Sequence, residues 1–235
     1  MDFRFKQFVV EHSNSTMKVG TDAVLLGSWF NNSSALRIMD IGCGSGIISL
    51  IAAQRSNATI DAIDIHKESV AEAEKNFNNS LWKKRLSAHN FSLQEFCKKS
   101  QNKYDHILSN PPFFKNALKS PDTKRNLARH NDTLSFEDFV IYSKLLSAPN
   151  ALLSVILPSN EGKTFRSIAA QNGYHLRRLT SIFPTVKKKS NRVLMEFTLS
   201  KEIQSPIIAD FYIRDNANNY SGEYQQMTKE FYLNF

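Results

Sequence analysis

Cysteine is scarce: Cys43 and Cys97 are the only two in 235 residues. They stand far apart in the chain, which excludes a disulfide framework and a cysteine-based zinc site. The six histidines (His12, His66, His89, His106, His130 and His175) show none of the paired spacings of a metal-binding helix, so no metal is expected. Long apolar runs are missing too. None reaches the roughly 20 residues that span a bilayer. The segment MDFRFKQFVVEHS lacks the charge and apolar pattern of a signal peptide. These absences predict a cytoplasmic protein with no membrane partner. No internal repeat or low-complexity linker divides the chain, so one domain is expected over residues 1–235. Residues 1–35 would form an N-terminal extension and residues 36–235 the core. A monomer is expected.

Acidic charge is in deficit. Lysine and arginine number 30 against 22 aspartates and glutamates, a net charge of +8 with a pI near 9.4. An excess of this size suits a polyanionic partner, because clustered cations displace the counterions around phosphates. Two segments concentrate it. Lys115, Lys119, Lys124, Arg125 and Arg129 crowd the polar stretch 115–134, which reads as a long loop. Lys187, Lys188 and Lys189 form a second basic turn. Both are candidate RNA contacts, although a charge run is often no more than a solvated surface.

From residue 37 the chain alternates β and α patterns, which predicts a mostly parallel sheet covered by helices. LRIMDIG, ATIDAIDI, RLSAHN, YDHILSN and ALLSVILP read as successive strands. IISLIAAQR, KESVAEAEKNFNNS, SLQEFCKK and FEDFVIYSKLLS read as the helices between them, the last capped by Ser135. Ser159 is a candidate cap for a further helix ending at Asn172-Gly173. HLRRLTSIFPT and RVLMEFTLS flank the basic turn as an antiparallel hairpin. The segment from Phe211 onward reads as an aromatic, polar tail lying across the sheet edge.

One strand runs into Gly42-Cys43-Gly44-Ser45-Gly46, preceded by Asp40 and followed by a helix. Glycines let a backbone turn sharply and approach a ligand closely. The dinucleotide fingerprint is not met, since Ile47 occupies its last glycine position. Some twenty residues on, Asp64 ends the second strand, where a carboxylate can accept both hydroxyls of a ribose. These features together point to a nucleoside ligand. DIGCGSG followed by AIDI resembles the cofactor site of class I S-adenosylmethionine-dependent methyltransferases. The resemblance implies a Rossmann-like α/β fold with a mostly parallel seven-stranded sheet, an antiparallel C-terminal hairpin and helices on both faces. It implies S-adenosyl-L-methionine as cofactor. Gly42, Gly44 and Gly46 would pass its methionine part, with Asp40 nearby, and Asp64 would hold the ribose. The family's acid after the third strand has no counterpart here; Asn90 or Ser92 stands in its place.

HILSNPPFF closes the fourth strand on two prolines, which have no N–H for a ladder. The carboxyl edge of an open α/β sheet is where ligands bind, so this corner and the glycine turn share one edge. Asn110-Pro111-Pro112-Phe113 resembles the motif of methyltransferases acting on exocyclic nitrogens of adenine, cytosine or glutamine. Asn110 oxygen and the Pro111 carbonyl would accept the two amino N–H bonds and Phe113 would stack on a base. Asn110 would also border the cofactor.

FRFKQFVVEHSNSTMKVGTDAVLLGSWF, with ARHNDTLSFEDF and the late FYL, resembles the bacterial enzymes that make N6-methyladenine at position 37 of valine tRNA. That resemblance covers nearly the whole chain. It implies tRNA as partner, an N-terminal extension that covers the cofactor site, and Lys18, Thr21 and Asp22 near the cofactor. The alternatives are a protein glutamine methyltransferase of the release-factor type, a DNA adenine methyltransferase, and an RNA-binding module with a vestigial cofactor site. The first usually carries a separate N-terminal helical domain, for which about 35 residues leave no room. The second needs a target-recognition domain, and no segment is large enough.

Overall fold

A computed structural model describes residues 2–12, 19–31, 35–111, 134–202 and 204–234. The element order is β1 (Asp2–Arg4), β2 (Val9–Glu11), α1 (Thr21–Trp29), β3 (Arg37–Ile41), α2 (Ile47–Arg55), β4 (Thr59–Asp64) and α3 (Lys67–Asn78). It continues through β5 (Leu86–Asn90), α4 (Leu93–Lys99), β6 (Tyr104–Ser109), α5 (Phe136–Leu146), β7 (Ser147–Pro158) and α6 (Ser159–Gln171). Last come β8 (His175–Thr185), β9 (Arg192–Thr198), β10 (Ile207–Arg214) and α7 (Gly222–Thr228).

Eight strands make the main sheet, in the order β10-β8-β9-β7-β6-β3-β4-β5. β9 runs antiparallel to β7 and β8, and every other pairing is parallel. The expected seven strands and their hairpin are all present. The eighth, β10, occupies part of what reads in the sequence as a tail. Its first four residues are exposed, including Ile207 and Ile208, so it lacks the inward-outward alternation that marks a half-buried strand.

Successive residues of a strand face opposite sides of a sheet. Ile38 and Leu108 therefore join one core with α1, α2, α3 and α7, while Met39 and Ile107 join a second with α4, α5 and α6. Helices cover both faces, as the alternating pattern predicts. Ser135 caps α5 by accepting from Asp138 N at 3.0 Å. Ser159 does not cap α6. It is that helix's first residue, and its hydroxyl meets Ser190 Oγ at 2.9 Å, pinning the β8–β9 turn to the helix.

A buried polar network stitches α1 to the sheet. Glu196 on β9 is 1% exposed and takes two bonds from Arg178 on β8, at 3.1 and 3.0 Å. Arg178 also donates to Trp29 O, and its guanidinium lies 3.9 Å from the Trp29 ring centroid. Trp29 Nε1 in turn donates to Thr180 Oγ1 at 3.1 Å. Ser154 Oγ joins Glu196 to His106 Nε2. Burial holds the His106 imidazole neutral, with its pKa pushed down to about 4.

The N-terminal hairpin β1–β2 packs on α3 and on the C-terminal segment. Lys6 N donates to Phe231 O at 2.8 Å, and Phe5 stacks against Phe8 and Tyr232.

Candidate active site

Strand register assembles the site. Ile41 pairs with both Ile63 and Ser109, and Asp64 pairs with Asn90. The carboxyl ends of β3, β4, β5 and β6 therefore lie side by side, and the glycine turn, Asp64, Asn90 and Asn110 follow at one edge. Ser109 Oγ donates to Ile41 O at 2.7 Å, which ties the asparagine corner directly to the start of the glycine turn.

The turn itself is held from β4. Gly42 N and Cys43 N both donate to Ile63 O, at 2.9 and 3.0 Å. Gly42 and Gly44 have φ of +74° and +54°, and a β-carbon at either would meet nothing within 4 Å. Open space beside a left-handed backbone is a cradle for a ligand. Gly46 is different. A β-carbon there would stand 2.5 Å from the Phe77 ring, so this glycine lets α2 close on α3.

Asp64 is 8% exposed and already engaged by backbone. One oxygen accepts from Gly44 N at 2.9 Å and the other from His66 N at 2.9 Å. The carboxylate is thus clamped at the mouth of the cradle. Asn90 supports it from behind, donating to Asp64 O and Ile65 O. Ser92 is committed elsewhere: its hydroxyl and Glu95 form a reciprocal capping box at the start of α4.

Asp40 is fully buried beneath the turn. Its Oδ2 accepts from Ser49 Oγ at 2.6 Å and Ser49 N at 3.1 Å, which anchors α2. Burial pushes its carboxyl up to about 7, with the Asp64 charge adding to the rise. A carboxyl raised above its ordinary 3.8 stabilises the fold fully below that value, and the contribution is lost as pH rises through about 7. Asp40→Asn keeps an acceptor for Ser49 and carries no charge. Its melting temperature relative to the parent protein is expected to rise between pH 5 and pH 8. A constant difference across that range would show that Asp40 does not titrate there. Cys43, in the turn, is buried, and desolvation raises its thiol well above the ordinary value, so it is not a poised nucleophile.

Asn110 closes the site. Its Oδ1 is buried and has no hydrogen-bond partner among the described residues. Buried acceptors are usually satisfied, so an orphan at this edge is a candidate partner for a ligand. Pro111 follows, buried. Pro112, Phe113, Lys115, Lys119, Lys124, Arg125 and Arg129 lie outside the described residues, as does Lys18.

Thr21 and Asp22 begin α1. Arg55 on α2 donates to Gly27 O and Phe30 O, so α1 runs beside α2 and starts near the level of Gly46. Asp22 is paired with Arg192, at 2.8 Å, and both Thr21 and Asp22 line a cavity shared with the β8–β9 turn. Lys187, Lys188 and Lys189 are exposed on that turn.

Sequence reading missed Asn76. Its side chain accepts from Glu11 N and donates to Glu11 O and Ser45 O, all at 2.9 Å, linking β2 to the glycine turn. Nothing local to α3 signals this, because the contacts span 65 and 31 residues.

The arrangement fits S-adenosyl-L-methionine: an open glycine cradle, a clamped carboxylate beside it on the same edge, and an unpartnered acceptor alongside. The comparisons agree with that geometry. The methyltransferase small domain model matches residues 7–135. A tRNA1(Val) (adenine(37)-N6)-methyltransferase from Phocaeicola vulgatus is 42% identical, covering 99% of this chain and 97% of the relative. One of the same name from Parabacteroides distasonis is 38% identical, covering 98% and 97%. The chain belongs to this methyltransferase family. A solved structure of a predicted O-methyltransferase from Agrobacterium tumefaciens shares the fold at TM-score 0.71 and 16% identity, covering 89% of this chain and 96% of that one. Class I methyltransferases use S-adenosyl-L-methionine as methyl donor. No helix among the described residues is long and apolar enough to cross a membrane, and no three metal-ligating side chains cluster there.

Prediction from the clamp is direct. Asp64→Ala removes the candidate ribose acceptor and frees Gly44 N and His66 N. Hydrogen bonds to a charged group are worth about 1.5–3 kcal/mol, so cofactor affinity is expected to fall roughly 10- to 100-fold by calorimetric titration. Affinity within twofold of the parent would leave Asp64 as a brace for the turn alone.

Proposed function

We propose that the chain transfers a methyl group from S-adenosyl-L-methionine to the exocyclic N6 of an adenine in tRNA, adenine 37 of valine tRNA by kinship. The observation that carries the chemistry is the orphaned Asn110 Oδ1 beside the glycine cradle. An adenine amino nitrogen is a poor nucleophile, because its lone pair is delocalised into the ring. Asn110 Oδ1 accepts one amino N–H and the Pro111 carbonyl the other, which holds the nitrogen towards a tetrahedral shape. The prolines make that geometry rigid before the base arrives. Phe113 stacks on the base, worth roughly 1–3 kcal/mol. The cofactor supplies an electrophilic methyl group when bound. Asp64 and the glycine turn bind and orient it, with Asp40 holding α2 behind the turn. Positioning provides much of the rate. The methylated nitrogen sheds its proton to water, so no strong general base is required.

Lys18, Thr21 and Asp22 extend the cofactor side in this reading, and residues 1–35 cover it. Asn90, which already braces Asp64, is the better placed of the two candidates on the adenine side, because Ser92 is spent on its cap. Lys115, Lys119, Lys124, Arg125, Arg129 and Lys187 to Lys189 hold phosphates around a flipped base. An anticodon-loop base is already single-stranded, which lowers the cost of flipping.

The test is incubation with labelled S-adenosylmethionine and bacterial tRNA lacking the modification, followed by nucleoside mass spectrometry. N6-methyladenosine in tRNA is expected. Label on a release factor instead would move the same corner onto a glutamine amide.

A further inference from the structure

A cavity of about 440 Å³ opens on the active-site edge of the sheet, between the start of α1 and the β8–β9 turn. That is within the roughly 300–1,000 Å³ range of small-molecule sites. Three elements wall it: the start of α1, the β8–β9 turn and the β10–α7 connection. Its charged side chains are Lys188, Arg192 and Arg214 against the single carboxylate of Asp22. The cations are pre-positioned. Arg192 Nε is held by Asp22 at 2.8 Å, and Arg214 Nη1 donates to Asn218 O at 2.7 Å. Arg214 also lies 4.3 Å from the Tyr220 ring centroid. Tyr220 stacks in turn on buried Tyr224, centroids 5.0 Å apart at 15°. The column ends in a guanidinium, a group that pairs phosphate and stacks flat on bases.

Strand order places the cavity relative to the chemistry. β7, β9 and β8 lie in succession beside β6, and β10 is one strand further. At about 4.8 Å per strand, β9, which begins at Arg192, stands roughly 10 Å from the strand that leads into Asn110, and β8 and β10 roughly 15–20 Å. A ligand there is not the reacting base.

We propose that this cavity is a second RNA subsite, taking a single-stranded nucleotide that flanks the target adenine, with its phosphate on Lys188 and Arg192 and its base on the Arg214–Tyr220 column. The inference rests on the RNA reading above and extends it from surface lysines to a shaped pocket. A basic turn alone gives charge without register, whereas a phosphate contact joined to a stacking platform sets the distance between target and neighbour.

The experiment measures tRNA binding and methylation by the full chain carrying Lys188→Ala with Arg214→Ala, and separately Arg214→Lys and Tyr220→Ala. The double variant is expected to raise KM for tRNA at least 10-fold. It should also flatten the salt dependence by about 0.7 per lost contact, with affinity for S-adenosylmethionine unchanged. Arg214→Lys keeps charge and loses the planar group, so it should retain the salt slope and still weaken binding. In the parent protein, tRNA carrying 4-thiouridine should crosslink under ultraviolet light to the peptide containing Tyr220, a readout independent of any variant's folding. A double variant with the parent's KM and salt slope, or absence of that crosslink, overturns the subsite. Failure of the parent protein to methylate tRNA at all would instead strike the RNA reading itself.

Discussion

Asn110→Ala is expected to cut methyl transfer to tRNA by at least 10²- to 10³-fold in kcat, while affinity for S-adenosylmethionine stays within twofold and the melting temperature does not fall. The first part follows from the cost of removing one preorganised polar group from a site where charge develops, about 3–4 kcal/mol. The last part is the sharper one. A buried acceptor with no partner carries a desolvation cost, about 1–3 kcal/mol, and offsets none of it with a bond. Removing it breaks no hydrogen bond that this oxygen makes among the described residues. Function and stability therefore separate at this position, as they do where a protein keeps a strained or unsatisfied group for its reaction. Single-turnover kinetics, calorimetric titration and a thermal melt on one preparation decide it. Loss of activity together with a drop in melting temperature and cofactor affinity would make the corner structural.

Glu196→Ala is expected to be the most destabilising single change in the described residues considered above. The carboxylate is 1% exposed and accepts from two donors of Arg178, its Oε2 accepting from the Ser154 hydroxyl as well. Its removal takes the carboxylate partner from a guanidinium that is 27% exposed and keeps, among the described residues, only the Trp29 carbonyl and ring. Breaking a buried pair from one side costs about 3–5 kcal/mol. At 2–4 °C per kcal/mol for a chain of this size, even the lower figure lowers the melting temperature by roughly 6–12 °C. The companion variant Arg178→Met with Glu196→Leu should recover most of the loss, because desolvation of two charges is then avoided. Equal destabilisation of single and double variants would show that the pair contributes packing shape rather than charge.

The sequence made the parallel half of the sheet legible because buried parallel strands are near-continuous apolar runs, and β3, β4, β6 and β7 read that way. It exposed Asn110, Asp64 and the glycines because their meaning is local: a chain that must turn, end or stop donating shows it within a few residues. Ser92 shows the same rule from the other side. Ser92-Leu93-Gln94-Glu95 is a capping box visible in four letters, and the structure shows that local use. Asn76, the Arg192–Asp22 pair and the Arg214–Tyr220 column were not legible. Arg192 and Asp22 are 170 residues apart, and only the completed sheet order brings the turn, α1 and β10 together. β10 itself escaped because an edge strand with four exposed residues carries no periodic signature.

Lys6 donates through its backbone to Phe231 O and through its ammonium to Lys229 O, while Glu11 is held by Asn76. On a ribosome, β1 and β2 emerge with only each other as partners. Glu11 must wait for residue 76 and Lys6 for residue 231, so the first strands made are the last to be sealed. The glycine turn, tied to β2 through Asn76 and Ser45, can take that brace once α3 is made, and only the Lys6 bonds wait until translation has passed β10.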